Sequence, residues 1–564
     1  TLSILSNTYN SWTYLYLGAS GVLNNSGTIY FTPWNTSAYW TYIGLQNTSA
    51  TGVINNSGSI IAGPTTGTAN TNGFVQVRLD AIMNNTGGTI ATYANGYAQN
   101  NSSQITIYTP TGRTGSISGN SYFDDNVFWS STTNFLGTIN ILNGAVISSA
   151  QGLNASGAQQ TYSINNIGTK FTTVSGVVTL NSPRISGGSL IAATGTTINA
   201  DSLYWTDGVI TSAGTGVVNV SGSSTVVTNT NSALATTSST TWGASAPTLA
   251  GVMNIVAGST LSVVPNTYNS WTYWGFDKTA VLNNSGTVYF TPWNTSGFWT
   301  YLSLNNPNAV FTGTVASAVI NNSGTMIAGP LAGAGNGNGY INVAIYPATN
   351  VNNGTIAAYG NGYAQGNSSL VNIYTPTGQT ATIGGNSYFD DKVTWNTTTN
   401  YLGTIQIANG AVVGAAQGAG TVGLKLDGST IVTTVSGTSG SPIAATLVNP
   451  YLVGGTLTTG SYATVTLNGL NWANGVISTG TGSSFVVTGN NGIITTNNGG
   501  VSAGSTSGAP TLNGTLAVAS GATLSILSNT YNSWTYLYLG GSGVLNNSGT
   551  IYFTPWNTSG YWTY

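Results

Sequence analysis

The segment TLSILSNTYNSWTYLYLGASGVLNNSGTIYFTPWNTSAYWTY, from Thr1 to Tyr42, returns almost unchanged from Thr523 to Tyr564. Only two positions differ, Ala19 against Gly541 and Ala38 against Gly560. A third copy starts at Thr260 and diverges further, with Trp274, Gly275, Phe276, Asp277 and Lys278 in place of Leu15, Tyr16, Leu17, Gly18 and Ala19. The starts lie 259 (260 − 1) and 263 (523 − 260) residues apart, and the outer copies agree best, so the order is A–B–A with a period of 522 (523 − 1). Each repeat must then offer its successor the surface that it was itself offered, which is the condition for a stacked array. The expected divisions are repeat unit A at 1–259, repeat unit B at 260–522 and the start of the next A at 523–564, a window on a longer array.

Composition narrows the architecture. Only 3% of residues are charged, 7 Lys and Arg against 9 acids, all of them Asp, and His and Cys are absent. Without Glu, and with few Lys, Arg and Gln, the alphabet is a poor helix former. Its Thr, Val, Ile, Tyr and Trp suit strands, and its 77 Gly with many Asn and Ser suit turns. Hydrophobic content of 40% separates it from disordered chains. A net charge of −2 without a basic cluster argues against nucleic acid as a partner. No apolar run approaches the ~18 residues of a membrane span. So little charge opposes association weakly, which suits a chain that assembles with copies of itself.

Strand alternation is legible throughout. In Phe74–Asp80, Val75, Val77 and Leu79 share one face while Gln76, Arg78 and Asp80 share the other. The counterpart Tyr340–Tyr346 keeps Ile341, Val343 and Ile345 on the inner face and replaces the outer set. A shorter motif marks a finer period: LNNSGTI at Leu23–Ile29, INNSGSI at Ile54–Ile60 and MNNTGGTI at Met83–Ile90. Its leading residues Asn24, Asn55 and Asn84 are spaced by 31 (55 − 24) and 29 (84 − 55), and Asn283, Asn321, Asn352 and Asn546 continue the series. Asn and Gly accept corner backbone angles, and an Asn amide bonds to its equivalent one coil away, so these seven predict a corner ladder. A steady advance predicts an all-β parallel β-solenoid, or β-helix, of roughly 30 residues per coil. At ~4.8 Å per coil, the period would hold roughly 17 coils and advance about 80 Å. A β-sandwich array needs hairpin turns every 8–12 residues and gives no reason for the longer corner period.

These corners, in a Cys-free chain rich in Gly, Asn and Thr, resemble those of filamentous-haemagglutinin-type and autotransporter-passenger β-helices. The resemblance is clear over Thr1–Gln151 and Thr260–Gln417 and weaker over Gly152–Ser259 and Gly418–Ala522. It implies a secreted bacterial protein, extracellular and at the cell surface, acting as an adhesin or a stalk. The long and nearly exact repeat departs from the family and shifts weight from adhesive tip to shaft.

The strongest surface feature is aromatic. In Ser11–Gly18, Thr13, Leu15 and Leu17 alternate with Trp12, Tyr14 and Tyr16, and Trp40 and Tyr42 follow one coil later. Copy B carries Trp271, Tyr273, Trp299 and Tyr301, and the last copy Trp534, Tyr536, Trp562 and Tyr564. With the Leu residues inward these rings form an outer stripe for packing shafts side by side or stacking on sugar rings; in a wider coil the rings would be core. The pairs Asp124–Asp125 and Asp390–Asp391 read as solvated turns, because a calcium site needs six or more oxygen ligands. Without His, Cys or Glu there is little acid–base equipment, and the counterparts of Arg78 and Asp80 are Ala344 and Tyr346. The expectation is a non-enzymatic, self-associating fibre shaft without cofactor or metal, with glycan adhesion through the aromatic stripe as the alternative.

Overall fold

The computed structural model of the chain describes residues 1–5, 13–18, 20–32, 40–45, 51–63, 75–92, 103–123, 127–132, 134–149, 162–165, 170–228, 246–265, 271–291, 299–304, 318–329, 341–359, 369–389, 393–397, 401–415, 424–495, 509–528, 535–554 and 563. Among them the only regular structure is β-strand. The chain forms two compact units, residues 1–233 with 239–266 and residues 234–238 with 267–564.

Each unit is a parallel β-solenoid with three strands per coil. In unit 1 the strands Val22–Asn25, Thr28–Phe31 and Trp40–Leu45 make one coil, and Val53–Asn56, Ser59–Ala62 and Gln76–Asp80 make the next. Leu23 pairs with Ile54, Ile29 with Ile60, and Ile43 with Leu79. Alternate residues point inward, so each inner position repeats as a column along the axis. One column of unit 1 runs Leu15, Ile43, Leu79, Ile107, Trp129, Ile164, Ile185, Trp205, Val226, Val263 through nine parallel pairings. From Ile43 onward, the members whose side chains are described are buried. Unit 2 has the matching column Trp274, Leu302, Ile345, Ile373, Trp395, Leu426, Leu452, Trp472, Ile493, Ile526, again with nine pairings. No single coil encloses a core; each ring is covered by the coils on either side.

Coil length is not constant. Asn24 and Asn55, one coil apart, are separated by 31 residues, and Asn283 and Asn321 by 38. Asn199 and Asn219 are separated by only 20. About 20 residues suffice for three short strands and their corners, so a longer coil carries its surplus between strands. The short coils fall within the stretches where the Asn corner motif is absent. There, strands such as Pro183–Ala192 and Tyr204–Ser212 run through a corner with a break in register. Gly208 has φ +84, and a Cβ on it would sit 2.6 Å from the Gly187 carbonyl oxygen, so the bend requires glycine. Gly475 does the same against Gly455 in unit 2.

Short coils also raise the coil count. From Leu2–Ile4 to its counterpart Thr260–Pro265 is nine and a third coils: nine pairings from Leu15 to Val263 plus the one strand by which Ile4 precedes Leu15. From Thr272–Phe276 to its counterpart Tyr538–Leu539 is again nine and a third. Each half-repeat therefore holds more coils than the roughly eight and a half (half of 17) expected from a uniform coil, and advances about 45 Å at ~4.8 Å per coil.

The fully buried Trp205 and Trp472 donate from Nε1 to the carbonyls of Gly208 and Gly475, at 3.2 and 3.3 Å. Trp205→Ala should destabilise its coils by about 3–5 kcal/mol. Hydrogen exchange should then rise in the adjoining coils and stay unchanged many coils away.

Candidate functional site

The Asn-Asn corners build two ladders side by side. On the outer one, Asn55 Nδ2 donates to Asn24 Oδ1 at 2.8 Å, Asn84 Nδ2 to Asn55 Oδ1 at 2.9 Å, and Ser116 Oγ caps Asn84 at 3.1 Å. The next residue turns inward and forms a buried ladder, Asn25 Nδ2 to Asn56 Oδ1 and Asn56 Nδ2 to Asn85 Oδ1, both 2.7 Å. Asn25 and Asn56 also donate to the Ser59 and Thr89 carbonyls, at 3.0 and 3.2 Å, and Asn85 to that of Gly88 at 3.0 Å. Those carbonyls fix which end of each buried amide is nitrogen. The inner ladder donates toward higher residue numbers and the outer ladder toward lower ones. Unit 2 repeats the arrangement: Asn284 donates to Asn322 at 2.7 Å, and Asn321 to Asn283 at 2.8 Å. The expected corner residues lead the outer ladder, and the second Asn of each pair, which alternation alone places inside, is the one that fills the buried position.

Two expected rungs are displaced. Asn350, not Asn352, donates to Asn321 Oδ1 at 2.9 Å, and Asn352 is exposed. The reason lies in the turn. Asn353 adopts φ +59 where the Met83–Ile90 corner uses Gly87 at +70, so the strand residues must be counted back from that position. Val351 then occupies the buried place opposite Asn322, and the inner ladder stops there. Asn546 pairs in register with Ala517, which offers it no amide.

The members of the aromatic set whose side chains are described point outward. Thr272, Trp274 and Phe276 are buried, whereas Trp271 is 49% exposed and Tyr273 half-buried. Tyr14 and Tyr16 are exposed and stack on each other, centroids 5.4 Å apart and planes within 5°. The half-buried Tyr536 stacks likewise on Tyr538, at 5.6 Å and 5°. In copy B, Gly275 replaces the second tyrosine, and Phe276 packs inside against Trp274 at 4.9 Å. Trp40 and Tyr42 lie on Trp40–Leu45, and Trp299 and Tyr301 on Trp299–Leu304; Tyr42 is in register with Tyr14, and Tyr301 with Tyr273. Trp12, Trp534, Trp562 and Tyr564 lie outside the described residues, as do Asp124, Asp125, Asp390 and Asp391. Among the described residues no three His, Cys, Asp or Glu side chains converge.

A second outward cluster was only half legible. Arg78 Nε donates to Asp80 Oδ1 at 2.6 Å, and its guanidinium carbon lies 4.2 Å from the Tyr108 ring centre and 5.5 Å from that of Phe135. Burial raises the Asp80 pKa above its ordinary 3.8, against the opposing hydrogen bond and charge of Arg78. In unit 2 the same four places, 266 residues on (344 − 78, 401 − 135), hold Ala344, Tyr346, Tyr374 and Tyr401. The Tyr346 ring stacks on Tyr374 at 4.8 Å and meets Tyr401 at 5.0 Å, filling the space of the ion pair. Burial, then the neighbouring Tyr374, push the Tyr401 phenol well above the usual range. Pairing Arg78 with Asp80 follows from alternation; the rings that close over them come from later coils, and only the common offset of 266 could have flagged them.

No known protein family matches the chain, and no curated protein matches it.

Three outcomes follow from this geometry. Asn56→Ala leaves the Asn85 oxygen without its buried donor and should cost about 1–3 kcal/mol, whereas Asn55→Ala on the outer ladder should cost less than about 1 kcal/mol, both read by denaturant melts. Because the folded pKa of Asp80 is raised, its contribution is full below 3.8 and is lost as pH rises through the folded value. Asp80→Asn should therefore remove a decline in melting temperature of unit 1 as pH rises above about 4. By the same sign, unit 2 should lose stability as pH climbs past about 10, and Tyr401→Phe should reduce that loss.

Proposed function

We propose that this chain is part of the shaft of a secreted bacterial surface fibre, its length set by the number of repeats. The observation that carries this reading is the unbroken stacking of inner columns within each unit, in which every coil is at once capped by one neighbour and a template for the next. The outer faces support self-association. They are dominated by Thr, Ser, Asn and aromatic rings, and the few charges include the closed pairs Arg78–Asp80 and Lys425–Asp427. Little electrostatic repulsion then opposes contact between copies. Among the described residues of the outer site, the Arg78 guanidinium and the Asp80 carboxylate are engaged with each other. The half-exposed Trp271 and the Tyr14–Tyr16 stack favour one second reading, adhesion to glycans by ring stacking.

Electron microscopy of the native protein should show uniform filaments with axial periodicity near 90 Å, and half that where A and B are not resolved. Globular particles without an axial layer line would rule the shaft out. For the glycan reading, Tyr14→Ala with Trp271→Ala should abolish binding on a glycan array while circular dichroism stays unchanged.

A further inference from the structure

We infer that the half-repeat is out of phase with the solenoid by one face, so that the aromatic surface winds around the shaft and meets neighbouring copies of this chain on all three sides. The observation is made independently inside each unit. In unit 1, Leu2–Ile4 pairs with Thr28–Phe31 and belongs to that row of strands. Its counterpart Thr260–Pro265 pairs with Ser223–Thr228, and that row leads back through Tyr204, Arg184, Tyr162 and Val127 to the aromatic strand Thr13–Leu17. The column that begins at Leu15 thus ends at Val263, the counterpart of Ile4. In unit 2 the column from Trp274, the counterpart of Leu15, ends at Ile526, again a counterpart of Ile4.

The aromatic strand itself moves accordingly. Thr272–Phe276 stands in one row of unit 2, while its counterpart Tyr538–Leu539 stands in the row of the amide corner Val281–Asn284. The amide corner Val544–Asn547 has moved in turn to the row of Thr287–Phe290. Every element advances by one face in the same sense. This follows from nine and a third coils per half-repeat; nine would have kept each element on its own face.

In the continuous shaft proposed above, three half-repeats, 28 coils or about 130 Å, bring an element back to its starting face. Because A and B alternate, the Tyr14–Tyr16 type of stack, absent from B, regains its face only after six. A stripe confined to one side would build flat sheets of shafts; a winding one favours three-dimensional bundles. The winding along a shaft and that consequence rest on the shaft reading above, whereas the one-face shift inside each unit does not.

The chain has no Cys, so engineered pairs report cleanly. Thr225 and Ser262 are register partners on the outer side of one row, and Gly492 and Ser525 are partners in unit 2. Neighbouring strands stand ~4.8 Å apart, within disulfide reach. Under copper-catalysed air oxidation, Thr225→Cys with Ser262→Cys and Gly492→Cys with Ser525→Cys should cross-link to near completion. Asn219→Cys with Ser262→Cys and Val486→Cys with Ser525→Cys, which an in-phase repeat would bring together, should not. The reverse pattern in variants with unchanged circular dichroism overturns the winding. These cross-links form in single chains, so absence of filaments would sink the shaft reading and leave the one-face shift standing.

Discussion

Parallel, in-register stacking at one strand spacing governs everything else in this protein. Each side chain is judged against the residue ~4.8 Å above and below it. Apolar columns satisfy that test by covering one another, and amides by passing a hydrogen bond from coil to coil. Charges do not, since a column of like charges repels and its interior members lose water. The 3% charge content and the absence of Glu and His follow naturally from that constraint. Where a charge does occur, as at Arg78, its partner Asp80 lies two residues along the same strand, and rings from the next coils shield the pair.

The same constraint explains what could be read from the sequence. Alternation gave the inner face of Gln76–Asp80 directly, because Val77 and Leu79 are inseparable from the pleat of the strand. The Asn-Asn corners gave the solenoid and the outer ladder, because an amide column needs the same residue at each turn. The uniform coil length fails where that marker fades: around Asn199 and Asn219 the corners use Ser182, Ser202 and Gly222, all with positive φ, in place of the Asn-Asn corner motif. Asn352 was misplaced because a motif aligns letters, whereas the backbone aligns the left-handed residue, Asn353, with Gly87. The tyrosine trio of unit 2 was invisible for a different reason. Tyr346, Tyr374 and Tyr401 belong to successive coils of unequal length, so their meeting depends on coil lengths that the sequence does not announce.

Conservation of inner columns with freedom outside also accounts for how A and B differ. Leu15 and Trp274 share an inner place, and the neighbouring Phe276 and Gly275 adjust in volume around the larger ring. At the outer cluster an ion pair is exchanged for a stacked tyrosine, two solutions to filling one space. Neither exchange disturbs the strand register, which is held by the backbone ladder and by the neighbouring columns.

The opposed directions of the two amide ladders matter for length. An α-helix adds every peptide dipole to the last, so its ends grow polar. Here the buried column Asn25, Asn56, Asn85 and the outer column Asn24, Asn55, Asn84 point their side-chain dipoles in opposite senses a few ångströms apart. Their fields largely cancel rung by rung. A corner that carries both ladders therefore adds almost no side-chain polarity along the axis, and stacking further corners of that kind builds up no electrostatic penalty.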